Sequence, residues 1–227
     1  TSYNIKSVVK RNMRQAGYGA EIARVIQGIP YGTPIQTEDI AQTLASRFSI
    51  SYDKARGAAN VKLKRMADRG EISRIQKGIY CHVKQTPFGP VTPDIDTLLI
   101  KKLTLYHGER IGYNSGASLL NQWGLASLLP RRTEITTNRW ESLLPSGSYL
   151  LLKRPPEQVT EDNWRYLQFI DAIEGFAGAF VDAEKPEVLL QKQAERLGLD
   201  ILKLIFIARR IASAKTVLRI VDMFAKE

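Results

Sequence analysis

Between Ser51 and Gly70 the apolar positions fall at Ala55, Ala59, Leu63 and Met66, the spacing of a helix with one buried face. The opposite arc carries Gly57, Asn60, Val61 and Lys64, with Lys54 and Arg65 on one flank and Arg56 on the other. Ser51 suits the position before the first helical residue and Gly70 the one just past the last, so the pattern predicts a helix over Tyr52–Asp68. Alternating stretches at Glu71–Ile75 and Ile79–Val83 predict a hairpin with its tip at Gln76-Lys77-Gly78.

Upstream, a short basic helix is expected from Asn4 to Gln15, broken near Gly17-Tyr18-Gly19. A second runs from Ala20 to Gln27 and stops at Gly28-Ile29-Pro30. After the turn Tyr31-Gly32-Thr33-Pro34, Thr37 is expected to N-cap a helix through Phe48, with Glu38 and Asp39 at its positive end. Helix, helix, turn, helix and hairpin is the order of a winged helix-turn-helix over residues 1–84, preceded by one extra helix.

Gln85 to Pro93 holds three prolines and a glycine and reads as a linker. Beyond it, residues 94–227 predict an α+β domain. Asp94–His107 is a helix with the stripe Ile95, Leu98, Leu99 and Leu103, and Ser115–Trp123 is another. Strands are expected at Thr133–Thr137 and Ser148–Lys153, and from about residue 161 the chain is helical, at 161–174, 186–197, 200–212 and 214–226.

Charge sharpens this division. Residues 1–84 hold 15 Lys+Arg against 6 Asp+Glu, net +9, and the remaining 143 residues hold 18 against 17, net +1. Nearly the whole excess of +10 lies in the first third, as expected for a polyanion-binding module joined to a neutral one. Acidic lipid is the rival polyanion, but this third has no helix with a broad, bulky apolar face. No apolar run approaches a membrane span, and Thr1-Ser2-Tyr3-Asn4 does not resemble a signal peptide. The one cysteine, Cys81, cannot form an internal disulfide, and with only His82 and His107 there is no zinc set. A reducing, cytoplasmic setting fits, with no cofactor and no metal.

A nucleic-acid reading assigns roles along this surface. Asn60 suits adenine edges, and Lys54, Arg56, Lys64 and Arg65 suit guanine or phosphate. Gly57 leaves room for close backbone approach, at a cost of about 1 kcal/mol relative to alanine. Arg74, Gln76 and Lys77 at the hairpin tip can follow a phosphate backbone or enter the minor groove. Thr37, Ser51 and Tyr52 stand at helix starts, where phosphate oxygens are commonly bound. No aromatic RNA-stacking sheet is apparent, so double-stranded DNA is the expected partner. The alternative is a winged-helix interaction module that holds a toxin or effector without DNA.

No catalytic constellation emerges. There is no phosphate-binding glycine loop, and Cys81-His82 reads as strand packing. His107 precedes Gly108 at an expected helix end, where a cation suits the dipole. Pro93-Asp94 is not followed by the Asp/Glu-x-Lys of metal-dependent nucleases. Glu134, Glu141, Asp171 and Glu174 could converge in three dimensions, but carboxylates scattered in this way are usually surface residues. The chain is not expected to be an enzyme.

The most distinctive stretch runs Gly112-Tyr113-Asn114-Ser115-Gly116-Ala117-Ser118-Leu119-Leu120-Asn121-Gln122-Trp123-Gly124-Leu125, followed by Pro130 and the strand leading to Arg139. Its small residues suit a helix wedged against a sheet, a structural role favoured over a ligand site. With Arg74-Ile75-Gln76-Lys77-Gly78-Ile79-Tyr80 and the Pro-rich segment before it, the chain resembles the AbiEi-like antitoxins of bacterial type IV toxin–antitoxin systems over roughly residues 20–155. The matching motif positions are Tyr113, Ser115, Gly116, Ser118, Leu120, Gly124 and Arg139. The resemblance implies a winged-helix domain that represses its own operon at an inverted repeat. It also implies a C-terminal domain acting against a nucleotidyltransferase-like toxin. The segment before Ala20 and the helices around Arg209-Arg210 lie outside it.

Overall fold

Tyr18, Ile22 and Ile26 stand four residues apart, and all three are buried. They form one face of helix α1, residues 17–27, in a computed structural model that describes residues 17–142, 144, 148–176 and 181–225. The chain is mixed α+β and divides at Lys101/Lys102 into two compact units. The helix expected over Asn4–Gln15 lies outside the described residues. The expected break at Gly17-Tyr18-Gly19 is absent, because Tyr18 anchors that turn. Its ring packs edge-on against Phe48 with centroids 4.8 Å apart, which offsets the helical cost of the flanking glycines.

In the first unit α1 is followed by β1 (Ile35–Gln36), α2 (Thr37–Phe48), α3 (Tyr52–Asp68), β2 (Ile72–Gln76) and β3 (Ile79–His82). The strands form an antiparallel sheet in the order β1-β3-β2. The core joins the α1 stripe to Ile35, Ile40 and Leu44, the predicted α3 face of Ala55, Ala59, Leu63 and Met66, and Ile72 and Tyr80 from the hairpin. Glu21 ties α1 to α2: Arg24 lies 2.7 Å and Arg47 3.3 Å from its carboxylate, and the Arg24 hydrogen bond holds that carboxyl below its ordinary range. Helix α3 ends with the Gly70 N–H on the Ala67 carbonyl and the Glu71 N–H on that of Met66, the paired bonds of a Schellman turn.

Two further expectations fail in this unit. Thr37 is not the N-cap. Pairing of β1 with β3 holds Gln36 extended, so Gln36 takes that position, and the Thr37 N–H donates to the Gly78 carbonyl at 2.9 Å. The expected linker is also ordered: β4 (Lys84–Thr86) pairs with β5 (Gly89–Val91) as an antiparallel hairpin. Proline is tolerated there because Pro87 occupies the turn and Pro90 sits in a two-stranded ladder in which both strands are edges. The chain divides instead within α4 (Ile95–Thr104), whose start is held by the Thr97 N–H on the Asp94 carboxylate at 2.8 Å.

Helix α4 ends three residues before the expected His107. Leu105–Tyr106 (β6) and Glu109–Arg110 (β7) form a hairpin whose two turn residues, His107 and Gly108, both take positive φ, 50° and 85°. This is the backbone of a two-residue primed turn, and histidine is among the side chains that tolerate it. The expected helix-end role of His107 is thereby overturned.

The second unit is built on a sheet ordered β10-β9-β8. In it β8 (Gly112–Ser115) runs antiparallel to β9 (Thr133–Thr137), and β10 (Leu150–Lys153) runs parallel to β9. Helix α5 (Gly116–Gln122) leaves directly from β8, and α6 (Trp164–Gly175) packs against β8 and α5. Helices α7 (Pro186–Arg196), α8 (Ile201–Ile211) and α9 (Ala214–Phe224) complete the unit. Its core gathers Tyr113, Leu119 and Leu120 with Phe169, Ile170, Leu190, Leu204 and Ile220. Asp200 and Ser213 cap α8 and α9 by accepting from the N–H groups of Lys203 and Thr216.

Candidate nucleic-acid interface

Burying Ala55, Ala59, Leu63 and Met66 necessarily turns the opposite side of α3 outward. Lys54, Arg56, Gly57, Asn60, Lys64 and Arg65 are all exposed, and Val61 is 52 % exposed among them. Ser51, at the N-cap position, and Tyr52 are exposed at the start of the helix. On the β2–β3 hairpin Arg74 and Lys77 are exposed and Gln76 is half-buried. The register slips between Arg74 and Gln76, a bulge that re-aims the side chains near the tip. Among the described residues a Cβ added at Gly57 would meet nothing within 4 Å, so no contact among them demands glycine there.

Other arginines of this unit are engaged internally: Arg24 and Arg47 with Glu21, and Arg69 with Glu71 at 2.7 Å. Among the described residues, Lys54, Arg56, Lys64, Arg65, Arg74 and Lys77 make no salt bridge, so their charges face outward together. An open groove of about 500 Å³ runs beside them, with Lys64 from α3, Arg74 from β2, and Gln85 and Pro90 from the β4–β5 hairpin on its walls.

Thr37 departs from this group. It is 3 % exposed, and its hydroxyl lies buried with no hydrogen-bond partner among the described residues, close to Gly78 at the hairpin turn. A phosphate cannot reach it. Tyr80, in β3, is a buried core residue. His82 bonds through Nε2 to the Ile26 carbonyl at 3.0 Å, and Cys81 is fully buried, with desolvation pushing its thiol upward. That environment suits packing and disfavours a thiolate.

Compared with known proteins, the chain matches no family model and no curated protein. No helix among the described residues is long and apolar enough to cross a membrane.

The distinctive second-unit stretch forms the β8–α5 corner. Tyr113 and Leu120 are buried in the core, and Ser115, fully buried, accepts from the Thr136 hydroxyl at 2.9 Å. The Ser118 hydroxyl donates to the Ser115 carbonyl and accepts from the Glu134 N–H, tying α5 to β9. Gly124 closes α5, and the Leu125 N–H bonds to the Leu120 carbonyl at 2.8 Å. Arg139 stacks over the Tyr106 ring, 4.1 Å from its centroid. The expectation of a helix wedged against a sheet describes these contacts well.

The same corner gathers charged side chains that look scattered along the sequence. Gly116, at φ 61°, donates its N–H to the Asp171 carboxylate at 3.4 Å, and a Cβ there would overlap the carboxylate of Glu134. Glu134 in turn pairs with Lys153 at 2.8 Å. Burial raises the Asp171 carboxyl above its ordinary range, opposed by Lys153 and the Gly116 N–H. Burial works against the Lys153 charge, yet Glu134 and Asp171 together hold its ammonium above the ordinary value. Desolvation, with Asp171 next, pushes the Tyr113 phenol upward. Glu141 and Glu174 are exposed, as expected. Among the described residues no three His, Cys, Asp or Glu side chains are placed to hold a metal ion.

The spacings 134, 153 and 171 carry no local motif. The usable signal is the parity of β9 and β10, which puts Glu134 and Thr136 on one sheet face with Leu151 and Lys153 beside them.

Proposed function

We propose that the chain is a transcriptional regulator that binds double-stranded DNA through α3 and the β2–β3 hairpin. The observation that carries the reading is the outward face of α3. Lys54, Arg56, Asn60, Lys64 and Arg65 stand exposed around Gly57, beside Arg74 and Lys77 of the hairpin. On this reading α1, β1, α2, α3, β2 and β3 are a winged helix, with α3 as recognition helix and the hairpin as wing. At 17 residues α3 is about 25 Å long, enough to lie along a major groove about 12 Å wide. Asn60 would read an adenine edge, Val61 can meet a thymine methyl, and the cations hold phosphates.

The resemblance to AbiEi-like antitoxins supplies the biological setting. We take the DNA to be an inverted repeat in the protein's own promoter, and the second unit to act against a nucleotidyltransferase-like toxin in the cytoplasm. No catalytic role is assigned to the chain.

The test is fluorescence anisotropy with the duplex directly upstream of the chain's own coding sequence, over a range of salt. Affinity should fall steeply with salt, and Lys64→Ala or Lys77→Ala should flatten the log–log slope by about 0.9 for each phosphate no longer neutralised. Salt-insensitive binding, or no binding to this duplex, would sink the proposal.

A further inference from the structure

The β4–β5 hairpin holds an aromatic ring that neither hydrophobic core uses. Phe88 is 100 % exposed, on the turn between Lys84–Thr86 and Gly89–Val91. A ring of this size left in water forgoes one of the largest burial gains available to a side chain. The turn presenting it is held firmly. The Thr86 hydroxyl donates to the Gly89 carbonyl at 2.7 Å and accepts from the Phe88 N–H at 3.3 Å. Pro87 restricts the backbone immediately before the ring.

The base of this hairpin belongs to the basic surface. Gln85 and Pro90 share a groove with Lys64 and Arg74, and Lys84 is exposed at the hairpin's foot. An apolar tip on a hairpin whose base adjoins these cations matches one kind of partner well: a duplex whose phosphates are held while a side chain enters a base step. A second copy of the chain fits less well. One ring and the half-exposed Val91 fall far short of the roughly 800 Å² per partner that a stable protein interface buries.

We propose that Phe88 is a wedge that inserts between base pairs from the minor groove and bends the DNA when α3 and the β2–β3 hairpin bind. The proposal rests on the DNA-binding reading above and adds a second contact element to it. The ring would stack on a base face exposed as the step unstacks, and the hairpin would act as a second wing on the far side of the groove from Arg74.

The experiment compares wild type, Phe88→Ala, Phe88→Trp and Lys64→Ala on the upstream duplex, end-labelled for energy transfer, with anisotropy for affinity. The wild-type protein should shorten the end-to-end distance. Phe88→Ala should bind about tenfold more weakly, bend less, and keep the wild-type salt slope, because its charge is unchanged. Phe88→Trp should retain the bend, and DNA should quench its fluorescence above the baseline set by Trp123, Trp140 and Trp164.

Phe88→Ala with unchanged affinity and bend overturns the wedge, as does wild-type binding without bending. A change in the sedimentation of the DNA-free Phe88→Ala protein overturns it too, by assigning the ring to a contact between copies. If Lys64→Ala weakens binding while Phe88→Ala does not, the wedge alone fails. If the wild-type protein binds no duplex, the DNA-binding reading fails with it.

Discussion

Replacing Gly116 by alanine tests the geometry of the second unit most directly. The residue sits at φ 61°, where an L side chain costs about 1–2 kcal/mol. The added Cβ would also lie 2.6 Å from Glu134 Oε2 and closer still to the rest of that carboxylate. Glu134 must then swing away from Lys153, its partner at 2.8 Å. Because Lys153 is about half exposed, breaking that pair adds only about 0.5–1 kcal/mol. The sum is a destabilisation of about 1.5–3 kcal/mol, large for a single added methyl group.

Urea denaturation followed by far-ultraviolet circular dichroism measures it, with a double-mutant cycle to separate the parts. On a Glu134→Ala background the overlap is gone, so Gly116→Ala should cost only the backbone share, about 1–2 kcal/mol. A cost within about 0.5 kcal/mol of zero on the wild-type background would refute the close approach of Glu134 to Gly116. Equal costs on the two backgrounds would leave the backbone conformation standing and remove the overlap.

Other expectations follow from the same kind of reasoning. Asn60→Ala should cost roughly 1–3 kcal/mol of DNA affinity and relax preference at one base pair, as read by binding to a library of single-site operator variants. Tyr18→Ala removes a buried ring and its edge-on packing against Phe48, so urea unfolding should show a destabilisation of about 3–4 kcal/mol. Thr37→Val should leave DNA affinity unchanged and unfolding stability equal or up to about 1 kcal/mol higher, because the hydroxyl it removes is buried with no partner among the described residues. The raised Asp171 carboxyl binds its proton more tightly in the folded chain than in the unfolded one. Its contribution is therefore present below the ordinary aspartate range and lost as pH rises through the folded value. Asp171→Asn should remove that decline, so unfolding curves of variant and wild type should diverge as pH rises from about 4, and parallel curves would refute it.

What can be read from the chain follows from how local each signal is. The buried face of α3 is legible because Ala55, Ala59, Leu63 and Met66 are set by helical period alone. The start of α1 is not, because the decisive contact of Tyr18 is with Phe48, thirty residues on, and local glycine propensity points the other way. The prolines at 87 and 90 exclude helix but not a two-stranded hairpin, which can place proline in a turn or on an edge. His107-Gly108 lacks the familiar Asn-Gly signature of a tight hairpin, so the α4 stripe reads straight through it. The Glu134–Lys153–Asp171 cluster depends on a parallel strand pairing and a helix docked across it, and neither leaves a spacing to recognise.

The distinctive stretch in the second unit therefore has two layers that separate by chemistry. Tyr113, Ser115, Ser118, Leu120 and Gly124 are consumed by core packing and by hydrogen bonds within the corner, so changing them reports on folding before it reports on anything else. Gly116 belongs to both layers, since its missing Cβ is what lets Glu134 close over the turn while its N–H meets Asp171. Lys153 and Glu134 remain partly open to solvent, at 46 % and 20 % side-chain exposure, and so are the members a partner could touch. On the proposed antitoxin reading, a loss of that action caused by a motif substitution would be uninformative unless the variant unfolds at the same urea concentration as wild type. A change at Lys153 bears on function more directly, because its exposed ammonium contributes little to the fold.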